Sequence, residues 1–140
     1  MHIRSLEETK MSLVRLLPAG LHAVADYAVG ASLILIALMV GGSAGAVGTG
    51  VVVGATVLAV SLITNYPLGA IKVLPFQVHS AGDYLAAALL LAAPFTLHFN
   101  HGDTGLTAVY LVAGFAVLGV SLITNYQWNG AGGRAVTATA

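Results

Sequence analysis

The sequence predicts an all-α integral membrane protein: a four-helix bundle made of two tandem two-helix repeats with a pseudo-twofold axis along the membrane normal. Three observations predict it, namely composition, the length of four apolar segments, and an internal duplication. Of 140 residues, 58% are hydrophobic and only 7% are charged, whereas a soluble domain carries roughly 25% charged residues. So few charges cannot cover a water-facing surface, and lipid is the surface they match. Formal net charge is zero, so no bulk field draws nucleic acid or acidic substrates, and nucleic acid is not an expected partner. The chain has no cysteine, which excludes disulfides, thiolate nucleophiles and thiolate metal sites.

The apolar segments run roughly Pro18–Gly41, Ala46–Tyr66, Leu74–Phe95 and Leu106–Tyr126. Each has about the 20 residues needed to cross a hydrocarbon core. Backbone groups cannot go unpaired in lipid, so segments of this length and character are expected to be helices. Pro18 and Pro75 stand at the first turns of the first and third helices, where proline is tolerated. The first segment is longer than the apolar core of a signal peptide and is interrupted by His22 and Asp26, so it reads as a retained helix.

Orientation follows from charge. All five basic residues (Arg4, Lys10, Arg15, Lys72 and Arg134) fall in the N-terminal tail, the second connection and the C-terminal tail. With four spans those three regions share one side, and the positive-inside rule makes that side cytoplasmic. The chain therefore divides into a cytoplasmic tail (1–16), a first hairpin (17–66), a cytoplasmic connection (67–73), a second hairpin (74–126) and a cytoplasmic tail (127–140). It is expected in the cell membrane with both termini inside. Residues in the first ten or so positions have the length for a short interfacial helix, but Glu7 and Glu8 weaken its apolar face.

The duplication is the most specific feature. Leu17-Pro18-x-x-x-His22-x-x-x-Asp26-Tyr27 recurs as Leu74-Pro75-x-x-x-His79-x-x-x-Asp83-Tyr84. The heptapeptide Val60-Ser61-Leu62-Ile63-Thr64-Asn65-Tyr66 recurs unchanged as Val120 to Tyr126. Each repeat holds two spans, so the copies insert with the same topology, as a parallel repeat.

His22 and Asp26 are four apart and share a helix face, as do His79 and Asp83. All the motif residues return to the cytoplasmic side, so they gather in the inner half of the membrane. Ionisable groups within a span are costly and usually face the bundle interior. Their expected partners are Tyr27, Asn65, Tyr66, Tyr84, Asn125 and Tyr126, with Ser61 and Ser121 one turn deeper. Two readings follow. In the first, the cluster is a structural network that fixes the register of the bundle. In the second it is a small-molecule or cofactor pocket. The structural reading weighs more, because buried polar clusters also serve specificity and no third ligand type marks a metal site.

Haem is one form of the second reading. His22 and His79 stand at equal depth on two helices, as bis-histidine ligation requires. Against haem, each histidine has an aspartate one turn away and the helices lack an aromatic lining for a porphyrin. The loop His98-x-x-His101-x-Asp103 has metal-like spacing but no counterpart in the first repeat. Gly50-x-x-x-Gly54 allows close helix approach and is expected to serve packing inside the bundle.

The hairpin pattern resembles the small bacterial membrane proteins of the SPW-repeat type, whose tandem two-helix units have a polar start to the first helix and a Ser-Pro-Trp further along. At about that place this chain has Ala93-Pro94-Phe95 in the second repeat and Ile36-Ala37-Leu38 in the first. The tripeptide is thus degraded in one copy and absent in the other. The resemblance spans roughly residues 17–127 and implies architecture; the family brings no established activity.

No nucleophile elbow, glycine-rich phosphate loop or His-Glu-x-x-His is present, so no enzyme is expected. The outer half lacks a polar route for transport. Two function classes remain. One is a structural or accessory subunit that packs in the lipid bilayer with itself, as a homo-oligomer, or against a larger membrane complex. The alternative is a binding module that holds a cofactor such as haem, a quinone or a lipid headgroup in the His/Asp cluster.

Overall fold

The structure, a computed structural model, describes residues 15–127. Four helices follow one another without strands among the described residues: α1 (Ala19–Val40), α2 (Ala44–Ile63), α3 (Phe76–Thr96) and α4 (Thr104–Ile123). They hold 22, 20, 21 and 20 residues. At about 1.5 Å per residue each is about 30 Å long, the thickness of a hydrocarbon core. All four are apolar enough to span a membrane, and the chain is a multi-pass membrane protein. The tail residues Arg4, Lys10 and Arg134, and the suggested interfacial helix, lie outside the described residues.

The exterior confirms the solvent. Leu35, Met39, Leu85, Val112 and Phe115 all point outward and are more than half exposed. In water such a surface would aggregate; in lipid it is the expected contact. Inside, two clusters form. One joins Leu33, Ala37, Ala46, Leu90, Phe99, Leu106 and Tyr110. The other, at the opposite end, joins Ala19, Ala23, Tyr66, Phe76 and Tyr126.

Within each hairpin the helices pack closely; between hairpins the backbones stand further apart, and α1 and α3 meet only through side chains, their Cα atoms all more than 8 Å apart. Glycine sets the close approach of α1 and α2. A Cβ on Gly54 would stand 2.6 Å from the carbonyl oxygen of Gly30, and one on Gly50 would stand 2.6 Å from the Ala37 Cβ. The Gly50/Gly54 pair therefore packs inside the first hairpin, as its spacing predicted. The first connection also depends on glycine, since Gly41 (φ 70) and Gly42 (φ 134) both adopt positive φ. Beyond them Ser43 caps α2: its Oγ accepts from Ala46 N–H and donates to Asp103 at 2.6 Å.

Two sequence boundaries need correction. α2 and α4 do not run to Tyr66 and Tyr126 but stop at Ile63 and Ile123, where Thr64 and Thr124 turn to extended backbone (ψ 139 and 138). The reason lies in the residues that precede the prolines. A residue before proline is driven to extended backbone, so Leu17 and Leu74 offer strand-like partners. Thr124 pairs with Leu17 and Thr64 with Leu74 as isolated parallel bridges. Leu16 and Leu17 N–H donate to Ile123 O, and Val73 and Leu74 N–H donate to Ile63 O. Asn125 N–H returns the bond to Leu17 O and Asn65 N–H to Leu74 O. Carbonyls that a helix end would leave orphaned are thereby satisfied without water. Pro18 and Pro75 are the N-caps of α1 and α3, one position outside the first turn.

Candidate functional site

The helix starts of α1 and α3 bring the ionisable residues together. His22 lies in the first turn of α1 and Asp26 one turn on; His79 and Asp83 repeat this on α3. All four are buried. The long side chains reach across the gap that the backbones leave. His22 Nε2 lies 3.3 Å from Asp26 Oδ1 and 3.1 Å from Asp83 Oδ2. His79 Nε2 lies 3.1 Å from Asp26 Oδ2 and 2.9 Å from Asp83 Oδ1. Each carboxylate thus spans both imidazoles, with one oxygen toward each, and the four side chains close into a ring. One ligand atom from each of the four residues can be chosen so that all lie within 4.8 Å of one another.

A second layer holds this ring. Tyr66 donates its hydroxyl to Asp26 Oδ2 at 3.1 Å, and Tyr126 donates to Asp83 Oδ2 at 2.8 Å. His22 Nδ1 meets Thr124 Oγ1 at 2.7 Å, and His79 Nδ1 meets Thr64 Oγ1 at 2.7 Å. The tyrosine contacts stay within a hairpin, whereas the threonine contacts cross between hairpins.

Sequence reasoning missed Thr64, Thr124 and Phe76. Both threonines lie in the duplicated heptapeptide, and that identity was the available signal. Three expected residues, Tyr27, Tyr84 and Asn125, make their side-chain hydrogen bonds outside the ring. Tyr27 donates to Leu68 O, on the connection, and the Tyr84 hydroxyl bonds Ser121 O at 3.4 Å. Asn65 and Asn125 use their amide N–H groups for the bridges described above; the Asn125 side chain accepts from Gln127 N–H. A tyrosine next to each aspartate in sequence points about 100° away from it on a helix, which is why Tyr27 and Tyr84 leave the cluster. Ser61 and Ser121 are buried beside it, and Ser121 Oγ donates to Val117 O.

The rings around the histidines also correct the expectation that no aromatic lining exists. Phe76 stacks edge-on against His22 at 5.2 Å and against His79 at 5.7 Å, and Tyr66 and Tyr126 close the shell. These rings come from helix ends, not helix interiors. The two imidazoles themselves meet edge to face at 5.5 Å. Both Nε2 atoms face the same two carboxylates, so no plane is left between them for a porphyrin, and the geometry does not suit bis-histidine haem.

No family model matches the chain, and no curated protein or solved structure matches it either. Chemistry must therefore be read from the site alone.

Beside the ring, away from the connection between the hairpins, lies a cavity of about 330 Å³. Its walls are Val29, Val53, Val57, Ala86, Leu89 and Val117, among other apolar groups, and the four ionisable residues line it too. Val52, Thr56 and Leu85 on its rim are exposed, so it opens between α2 and α3 toward lipid. The loop between α3 and α4 offers no comparable centre among the described residues. Asp103 accepts from Ser43, and His98 takes a left-handed backbone (φ 56) as α3 ends.

Proposed function

We propose that the chain is a membrane binding module that receives a small amphiphile between its two hairpins. The observation that carries this reading is the lipid-facing apolar cavity with the His/Asp ring as its ionisable patch, Thr56 and Ser121 being its other polar lining. Ligand sites of about 300–1,000 Å³ are typically lined by apolar side chains with a few convergent polar groups. An apolar body fits the valine and leucine walls, and an oxygen-bearing head of the quinone or lipid-headgroup kind meets the ring. The reciprocal threonine and tyrosine contacts support two copies of one hairpin about a pseudo-twofold axis, with the site between them. Both termini face the cytoplasm in this reading, supported by the basic residues.

The test is thermal unfolding of the detergent-purified protein with short-chain quinones in one arm and phospholipids in the other. A concentration-dependent rise in melting temperature in one arm is expected, and which arm responds identifies the head. No rise in either arm overturns the reading. Val57→Phe and Ala86→Phe, which fill the cavity, should abolish the rise and leave the unliganded melting temperature nearly unchanged.

A second reading is favoured by the broad apolar exterior and by the threonine contacts that tie one hairpin to the other. In it the chain is a structural or accessory subunit that packs with itself or a larger complex. Purification in a mild detergent tests this. A single chain with no copurifying partner counts against it.

A further inference from the structure

The second-layer threonines fix which nitrogen of each histidine carries its proton. Thr64 Oγ1 stands 2.7 Å from Val60 O and Thr124 Oγ1 stands 2.6 Å from Val120 O. A carbonyl oxygen cannot donate, so each hydroxyl spends its one hydrogen there. For Val60 this hydroxyl replaces the usual helical donor, because Thr64 N–H has turned to Ser61 O. Each threonine oxygen is then an acceptor toward histidine, and Nδ1 of His22 and of His79 must be the N–H. Nε2 of a neutral ring is therefore a bare lone pair.

Those two lone pairs point into the ring of carboxylate oxygens. His22 is 1% exposed and His79 is 2% exposed, and neither Nε2 has a hydrogen-bond partner despite lying 2.9–3.3 Å from carboxylate oxygens. A lone pair facing anionic oxygens at that distance is repulsive unless a cation stands between them. A proton on each Nε2 would also relieve the repulsion, so a metal ion bound here takes the place of those protons.

We propose that His22, Asp26, His79 and Asp83 form a binding site for one divalent transition metal ion of the zinc class. The proposal rests on the reading of the cluster as a binding centre and names an occupant of it distinct from the amphiphile. Ions of this class bind histidine nitrogen and carboxylate oxygen at about 2.0–2.2 Å. Four ligands at that radius stand about 2.8–3.6 Å apart along their edges and at most about 4.4 Å apart, by the geometry of a square or a tetrahedron. One ligand atom from each of the four residues can be chosen within 4.8 Å of the others, so side-chain shifts of a few tenths of an ångström, on the order of 0.4 Å, close the set on one ion. Charge matches too, since two carboxylates and two neutral imidazoles are neutralised by one dication. The outer layer is of the kind metal sites use: the non-ligating nitrogen of each histidine donates to a fixed oxygen, and each carboxylate accepts from a tyrosine.

The experiment uses the untagged full chain in detergent, stripped with chelator and dialysed against Zn2+ or Co2+. Near-stoichiometric metal by elemental analysis is expected, with visible Co2+ absorption bands of a site carrying nitrogen and oxygen ligands. His22→Gln and Asp83→Asn should each abolish it, whereas His98→Ala/His101→Ala should retain it. Thr64→Val and Thr124→Val should weaken affinity by about 10–100-fold. Wild type that binds neither ion, or binding undiminished in His22→Gln, overturns the proposal. Because the wild-type measurement needs no variant, misfolding of a variant cannot shield it. The quinone and phospholipid arms are run on the metal-stripped protein in parallel. Amphiphile binding without metal binding sinks only the metal site, and metal binding without amphiphile binding sinks only the amphiphile reading.

Discussion

Thr64 and His79 meet at 2.7 Å although they belong to different hairpins, and Thr124 and His22 meet at the same distance in the opposite sense. Each threonine sits where a helix has just ended, so its hydroxyl satisfies a backbone carbonyl of its own helix and positions an imidazole of the other hairpin. One small side chain thereby couples helix termination, inter-hairpin contact and the orientation of a candidate ligand.

Removing that hydroxyl should act on all three. Thr64→Val keeps the shape but leaves Val60 O and His79 Nδ1 without a partner. An unsatisfied buried group is destabilising by about 1–3 kcal/mol, although interhelical hydrogen bonds in membranes average only about 0.6 kcal/mol. Thr64→Val and Thr124→Val are therefore expected to lower the melting temperature in detergent, each by a similar and moderate amount. An unchanged melting temperature in both would mean that the threonines do not secure the hairpins.

The same residues show what the sequence could and could not disclose. Four spans were legible because apolar length is read directly, and the His/Asp ring because two ionisable pairs at i, i+4 must turn inward. Thr64 and Thr124 were not, since a threonine inside an apolar run gives no sign of its partner 15 or 102 residues away. Helix ends at Ile63 and Ile123 escaped for a related reason. Apolar character continues past them, and only pairing with the pre-proline leucines turns the backbone to extended form. Phe76, a single ring ahead of His79, likewise became informative only once both hairpins were in place.

Gly54 offers a test of the first hairpin by itself. Its hypothetical Cβ would meet Gly30 O at 2.6 Å and Ile34 Cγ1 at 2.8 Å. Backbone cannot give way as a flexible side chain can. Gly54→Val should thus force α1 and α2 apart and destabilise the protein by about 1–3 kcal/mol, seen as a lower melting temperature and poorer recovery from detergent. Gly48, which has open space around it, supplies the control: Gly48→Ala should be silent. Equal tolerance at both sites would contradict the packing described.

Orientation is tested by reporter fusions after Ala140 and at Gly102, in the connection between α3 and α4. An even number of spans separates the N-terminal tail from the C-terminal tail, and one span separates Gly102 from the latter. The two fusions should therefore give opposite signals, with the C-terminal one cytoplasmic because the basic residues gather on that side. A C-terminal reporter active outside the cytoplasm would reverse the assignment and move the His/Asp ring to the other leaflet.

The aspartates separate the two function classes. Each one contacts both histidines and accepts from one tyrosine, so Asp26→Ala and Asp83→Ala remove equivalent sets of interactions. If the ring is only structural, both variants should lose stability by similar, modest amounts, and added ligands should make no difference. A binding centre behaves otherwise. Its carboxylates face each other across a small buried space, so the unliganded protein holds anionic groups that repel one another and are costly to keep from water. Asp→Ala should then be tolerated without ligand, or should raise the melting temperature, while the rise induced by Zn2+, quinone or phospholipid disappears. The binding reading expects this second pattern. Melting curves for wild type and both variants, each with and without the three additions, distinguish the outcomes. Equal destabilisation of both variants, with any ligand-induced rise left intact, would remove the ring from the binding site and return it to a purely structural role.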